Sequence, residues 1–148
     1  MSDLSELNNL LGDEALIHYA SGREQDRLSK GAGLLELARS QELISRYLPP
    51  PPAVIFDVGG GAGVYSFWLA QQGYEVHLID AVPLHIEQAR HLSQTQPEYP
   101  LASLAVRDAR QLNRADNSVD AVLLLGPLYH LTERTDRIIA LREAHRIL

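Results

Sequence analysis

Cysteine is absent from the 148 residues, so neither a disulfide nor a thiolate metal site can form, and a reducing compartment suits the chain. No block of lysine and arginine occurs, and a net charge of −6 opposes a surface that tracks phosphates, so nucleic acid is not an expected partner. No apolar run approaches the roughly 20 residues that span a bilayer, so no membrane partner is expected either. The acidic, polar-broken start MSDLSELNNLLGDEAL is not a signal peptide. The six histidines are scattered, with no H-x-x-x-H pair, and no metal is expected. These absences leave a soluble, cytoplasmic protein whose expected partners are small molecules.

What is present is organised around Ala53 to Asp80. A short apolar run (Val54, Ile55, Phe56) ends in Asp57. The glycines Gly59, Gly60, Gly61 and Gly63 follow, then a helical segment, then a second apolar run closing on Asp80. A strand, a tight turn, a helix and a strand read as the nucleotide-binding half of a doubly wound sheet.

Before this unit the chain is helical. Ser21 and Glu24 have the spacing of a capping box, and Gly31 and Gly33 interrupt the helix it would start. Leu34, Leu37, Ala38, Gln41, Ile44 and Leu48 then follow helical spacing as a mainly apolar stripe, which Pro49 to Pro52 end. Residues 1–48 are therefore expected as a helical cap and 49–148 as the sheet domain. After Asp80, Pro83 opens a helix through Leu92. Leu101 to Val106 form a third strand that delivers Asp108, Ala109 and Arg110. Val119 to Leu125 form a fourth, which Gly126 and Pro127 break. Thr132 caps a last helix, on which Ile138, Leu141, His145 and Leu148 share a face. Alternating strands and helices demand parallel strands joined by right-handed crossovers. The expected fold is α/β: a doubly wound, Rossmann-like, mainly parallel sheet in three α/β/α layers. Ligands bind such sheets outside the carboxyl ends of the strands, where Asp57, Asp80, Asp108 and the Gly126–Pro127 turn all lie.

The dinucleotide fingerprint G-x-G-x-x-G is not met: counting from Gly59 and Gly61, the third position is Val64. The sequence has D-x-G-x-G-x-G instead. An acid ahead of the glycines repels a pyrophosphate and suits a ligand carrying an ammonium group. Asp80 is placed to accept from both hydroxyls of a ribose. Asp108 can accept from the exocyclic amine of adenine while the Ala109 amide donates to a ring nitrogen.

In this order, DVGGGAG, LID, RDARQL and VDAVLLLGPLYHL resemble the class I S-adenosylmethionine-dependent methyltransferases, over about Leu34 to the end. The resemblance implies that the glycine loop (Gly59, Gly60, Gly61) holds the aminoacyl part of S-adenosylmethionine, with Asp57 near its ammonium. It implies that Asp80, with Ala81 beside it, holds the ribose and Asp108 and Ala109 the adenine. The backbone at Leu125 and Gly126 lines the methionine side. The family continues past the last helix with further strands, whereas this chain ends at EAHRIL. That implies a fragment or truncated form, or an assembly such as a homodimer that covers the open edge of strand four.

The implied activity is methyl transfer, by in-line displacement from the sulfonium, to a small-molecule acceptor. Two alternatives stand beside it: an NAD(P)-binding oxidoreductase domain, and a non-catalytic binding or assembly module of the same fold. His130, just past strand four, is the best-placed base because histidine titrates near neutral pH, and Tyr129 can orient an acceptor. Alternatively, LYHL packs over the cofactor and His130 is structural. Tyr19, Arg23 and Arg39 in the cap can close over the site, an arginine meeting the cofactor carboxylate. Equally, Glu36 and Arg39 can pair along their helix. His85 caps or solvates the helix after strand two, and Trp68 belongs to the core.

Overall fold

A computed structural model describes residues 27–148. Tyr19, Ser21, Arg23 and Glu24 lie outside the described residues. The elements run α1 (Ala32–Tyr47), β1 (Val54–Val58), α2 (Val64–Gln71), β2 (Glu75–Asp80), α3 (Pro83–Thr95), β3 (Ser103–Val106), β4 (Ala121–Leu123), a single turn α4 (Pro127–His130) and α5 (Arg134–Ile147). The sheet has the order β3-β2-β1-β4, and every pairing is parallel. The chain steps outward from β1 to β3, then returns to the other side of β1 for β4. That reversal opens a crevice between the carboxyl ends of β1 and β4. β4 is an edge of the sheet among the described residues. It spans only Ala121–Leu123, shorter at both ends than the apolar run suggests; on its N-terminal side Ser118 and Val119 donate to the Ile147 carbonyl at 2.7 and 3.0 Å instead of pairing with β1. No helix among the described residues is long and apolar enough to cross a membrane.

Side chains alternate across β1 and so divide the core into two layers. On one face Ile55, Val76, Leu78 and Leu123 pack with Ile44 of α1, Phe67, Leu69 and Ala70 of α2, and Ile86 and Ala89 of α3, with Trp68 partly buried against them. On the other, Phe56, Val58 and Ile79 meet Leu112, Val119 and Leu131, together with Ala140 and Ile147 of α5. These are the three α/β/α layers that the strand–helix alternation demands.

α1 buries less than its stripe suggests: Ile44 is inside, Leu37, Gln41 and Leu48 are half-buried, and Leu34 and Ala38 are exposed. The helix expected from Ser21 starts outside the described residues; Gly31 is the N-cap of α1 and Gly33 lies in its first turn. The Arg27–Leu28 backbone packs against this position, and a Cβ on Gly33 would lie 2.0 Å from the Arg27 carbonyl oxygen.

α5 buries Ala140, Ala144 and Ile147, not the face carrying Leu141, His145 and Leu148, and its N-cap is Glu133 with no side-chain capping bond. Polar anchors set this rotation. Glu143 accepts from the Leu112 amide at 2.8 Å. Arg146 donates to the carbonyls of Leu112 and Arg114 at 2.9 and 2.8 Å and to Asp116 at 2.6 Å. Apolarity alone would have chosen Leu141, but alanines let the helix sit close to the sheet. Ala140→Leu, at a position with 0% exposure, is expected to cost about 1–3 kcal/mol. Leu141→Ala, at 49% exposure, should stay within about 0.5 kcal/mol. Urea unfolding midpoints of the two variants check the assignment.

Candidate nucleoside site

The loop after β1 is held against the end of β2. The Gly59 and Gly60 amides both donate to the Ile79 carbonyl, at 2.8 and 3.3 Å. Gly59, Gly61 and Gly63 have φ of +71°, +60° and +93°, values that side-chain-bearing residues rarely adopt. Gly60 is required for a different reason: a Cβ there would lie 2.5 Å from both Asp57 Oδ2 and Leu78 Cδ1. Gly61 has nothing within 4 Å of its Cβ position. Its bare backbone forms part of the wall of a cleft of about 630 Å³.

That cleft gathers most of the residues singled out in the sequence. Asp57, Gly59, Gly60, Gly61, Asp80, Ala81, Asp108, Ala109, Leu125, Gly126, Tyr129 and His130 all line it. Arg39 does not: it pairs with Glu42 one turn on, at the surface, because that carboxylate is within its own helix. Glu36 does not pair with Arg39 either. It meets Arg27 at 2.6 Å, and both of these line the cleft, so among the described residues the cap arginine at the site is Arg27.

Asp57 is 2% exposed and points to the α2 side of the sheet, where Ser66 Oγ donates to Oδ2 at 2.7 Å. Burial, with Asp80 nearby adding repulsion, pushes its carboxyl up to about 6 against the lowering effect of the Ser66 bond. Asp80 is as enclosed but better served. Oδ2 accepts from the Gly61 amide at 2.8 Å, while Oδ1 accepts from the Val82 amide at 2.8 Å and His85 Nδ1 at 3.0 Å. The buried His85 had been expected only to cap or solvate a helix; its one sequence signal is its place in the first turn after Pro83. Asp108 meets Arg110 through both oxygens, at 2.7–3.2 Å, and Arg110 also reaches Asp136 of α5 at 2.9 Å. Leu125 lies beyond β4 and is 49% exposed. Tyr129 is 86% exposed at the rim, and His130 is half-buried beside it on α4. Leu28, Ser40, Tyr65 and Gln88 also line the cleft, and no motif marks them; Arg107 lines it too, at the start of RDARQL, a motif that assigns it no role of its own.

The raised carboxyl has a consequence for stability. Its folded value of about 6 lies above the ordinary 3.8, so the stability it contributes is fully present below pH about 4 and is lost as pH rises through 6. The loss is on the order of 3 kcal/mol. Asp57→Asn should flatten this fall between pH 4 and 7 and be more stable than the parent at pH 8, as read by urea unfolding at each pH.

Comparison with known proteins supports the same reading. A family profile described as a methyltransferase domain matches residues 55–148, well over half of the chain. The ubiquinone/menaquinone biosynthesis C-methyltransferase of Acidiphilium cryptum is 31% identical over 109 residues, covering 73% of this chain and 43% of that protein. A solved S-adenosylmethionine-dependent methyltransferase of Methanosarcina mazei superimposes with a TM-score of 0.65 at 28% identity, over 72% of this chain and 51% of that one. A Pyrococcus horikoshii protein shares the fold with a TM-score of 0.72 at 23% identity, over 82% of this chain and 55% of that one. The chain thus spans about half the length of the relatives it matches. Together with the ordered strand-end acids and the glycine loop, the family match settles the class: the chain belongs to the class I S-adenosylmethionine-dependent methyltransferases.

Proposed function

We infer that this chain forms the S-adenosylmethionine-binding half of an enzyme that methylates a small-molecule acceptor. The observation that carries the reading is the pairing of Asp80 Oδ2 with the Gly61 amide at 2.8 Å, on a cleft where Gly61 offers bare backbone. One acceptor for a ribose hydroxyl and one uncluttered stretch of chain for an aminoacyl group lie side by side. The residues fit such a ligand in charge as well. Asp57 beneath the loop and Asp80 beside it favour an ammonium and a sulfonium over a pyrophosphate.

When bound, S-adenosylmethionine supplies a methyl group already activated on a sulfonium, open to in-line displacement. The chain's own residues then have positional tasks. Gly59, Gly60 and Gly61, over Asp57, take the aminoacyl end. Asp80 and Ala81 take the ribose. Asp108 divides its carboxylate between Arg110 and an adenine amine, beside Ala109. Leu125 and Gly126 border the methionine side, and Tyr129 at the rim orients the acceptor. His130 is the group to receive a proton where the acceptor must lose one. Leu28, Tyr65, Leu125 and Leu131 in the cleft lining suit an acceptor with an apolar body. A small molecule also agrees with the Acidiphilium cryptum relative, whose name places it in quinone biosynthesis.

Calorimetric titration with S-adenosylmethionine, S-adenosylhomocysteine and NAD tests the binding. Both sulfur nucleosides should bind and NAD should not, and Asp80→Ala should weaken S-adenosylhomocysteine by about tenfold or more. Failure of both sulfur nucleosides to bind would sink the reading. Because an ionised Asp57 attracts the ammonium, affinity should rise with pH through about 6, and Asp57→Asn should remove that rise. His85 and His130 also line the cleft, so the Asp57→Asn control assigns the effect. Mass spectrometry of a panel of phenolic, quinol and amine acceptors reads methyl transfer itself. Loss of transfer in His130→Ala, with S-adenosylhomocysteine affinity unchanged, would place His130 in the acceptor step.

A further inference from the structure

The Asp80 carboxylate offers about four acceptor positions, and three are taken within the chain. Oδ1 accepts from the Val82 amide and from His85 Nδ1, and Oδ2 accepts from the Gly61 amide. A carboxylate can only accept, so Nδ1 of His85 carries the proton. The imidazole is 6% exposed and Asp80 7%, and both line the cleft. His85 comes from a different element than its partner. It sits in the first turn of α3, where Pro83 occupies a first helical position and the His85 amide donates to the Val82 carbonyl at 3.1 Å. Its ring therefore meets the oxygen opposite the one that Gly61 holds.

We propose that His85 is a positioning residue of the nucleoside pocket. By filling Oδ1 together with the Val82 amide, it fixes the Asp80 carboxylate so that Oδ2 alone is presented to a ligand hydroxyl beside the Gly61 amide. The inference rests on the cleft being the nucleoside site, and it sharpens what Asp80 does there. A grip on both ribose hydroxyls would need Oδ1, whose two positions are occupied. The ribose is thus held at Asp80 through one hydroxyl. The grip also depends on the His85 donor, because a buried carboxylate oxygen that loses a partner turns toward another.

The experiment is calorimetric titration of S-adenosylhomocysteine and its 2′-deoxy and 3′-deoxy forms into three proteins, each checked by thermal melting. These are the parent, His85→Asn, which keeps an N–H donor, and His85→Leu, which does not. In the parent, one deoxy form should bind roughly tenfold or more weakly and the other within about threefold of the full nucleoside. His85→Leu should weaken the full nucleoside by about tenfold and erase the difference between the deoxy forms, while His85→Asn keeps both within about threefold of the parent. Parent-like affinity and discrimination in His85→Leu overturns the proposal, as does a parent that loses equally from both deoxy forms. Should His85→Leu fail to fold, the parent titrations and the nitrogen-15 spectrum of His85 decide, and a proton on Nε2 alone at neutral pH overturns it. A parent that binds none of the three nucleosides fails the cofactor reading and this inference with it. Binding without any effect of His85→Leu removes this inference alone.

Discussion

The close approach of the glycine loop to the end of β2 is the constraint from which the cleft follows. Two successive amides, from Gly59 and Gly60, share the Ile79 carbonyl, and the loop is pressed against the carboxylate and the leucine beneath it. A Cβ at Gly60 would collide with Asp57 and Leu78, and one at Gly59 would meet Pro127 Cγ at 2.5 Å. Because the loop lies this low, its next amide, that of Gly61, reaches the Asp80 side chain. Backbone and acid then form one wall. The same proximity seats Pro127 and the short helix carrying Tyr129 and His130 on the other side of the opening. A side chain at Gly59 or Gly60 would separate these parts.

Such closeness places two buried acids side by side, and the chain treats them differently. Asp57 has one donor, Ser66, and burial raises its carboxyl to about 6. Asp80 has three donors drawn from the glycine loop, the turn after β2 and the first turn of α3. One acid answers desolvation by keeping its proton into mildly acid solution, the other by collecting hydrogen bonds. The result is a site whose buried carboxyl costs the folded chain stability as pH rises.

The second layer is tied to the site by charge. Arg110 links Asp108 at the cleft to Asp136 on α5, and Glu143 and Arg146 fasten the far end of that helix to the Leu112–Asp116 segment. These bonds choose which face of α5 meets the sheet. They also hold Asp108 so that any ligand amine must share the carboxylate with a guanidinium.

The strand–helix alternation, the three strand-end acids and the glycine spacing were all legible in the sequence, because each depends on local geometry. β1 and β2 fall where their apolar runs place them, and parallel register then brings Asp57, Asp80 and Asp108 to one end of the sheet. Relations between distant residues were decided only by the tertiary structure. The rotation of α5 was set by Glu143 and Arg146 bonding to a loop about 30 residues away in sequence, which no helical stripe reveals. Arg39 pairs with Glu42 at the surface while Arg27, brought against the Gly33 position, meets Glu36 at the cleft. His85 reads as an ordinary residue of a helix start until α3 is folded against β2. Periodicity reports which way a side chain points from its own element, and it is silent on what another element brings to meet it.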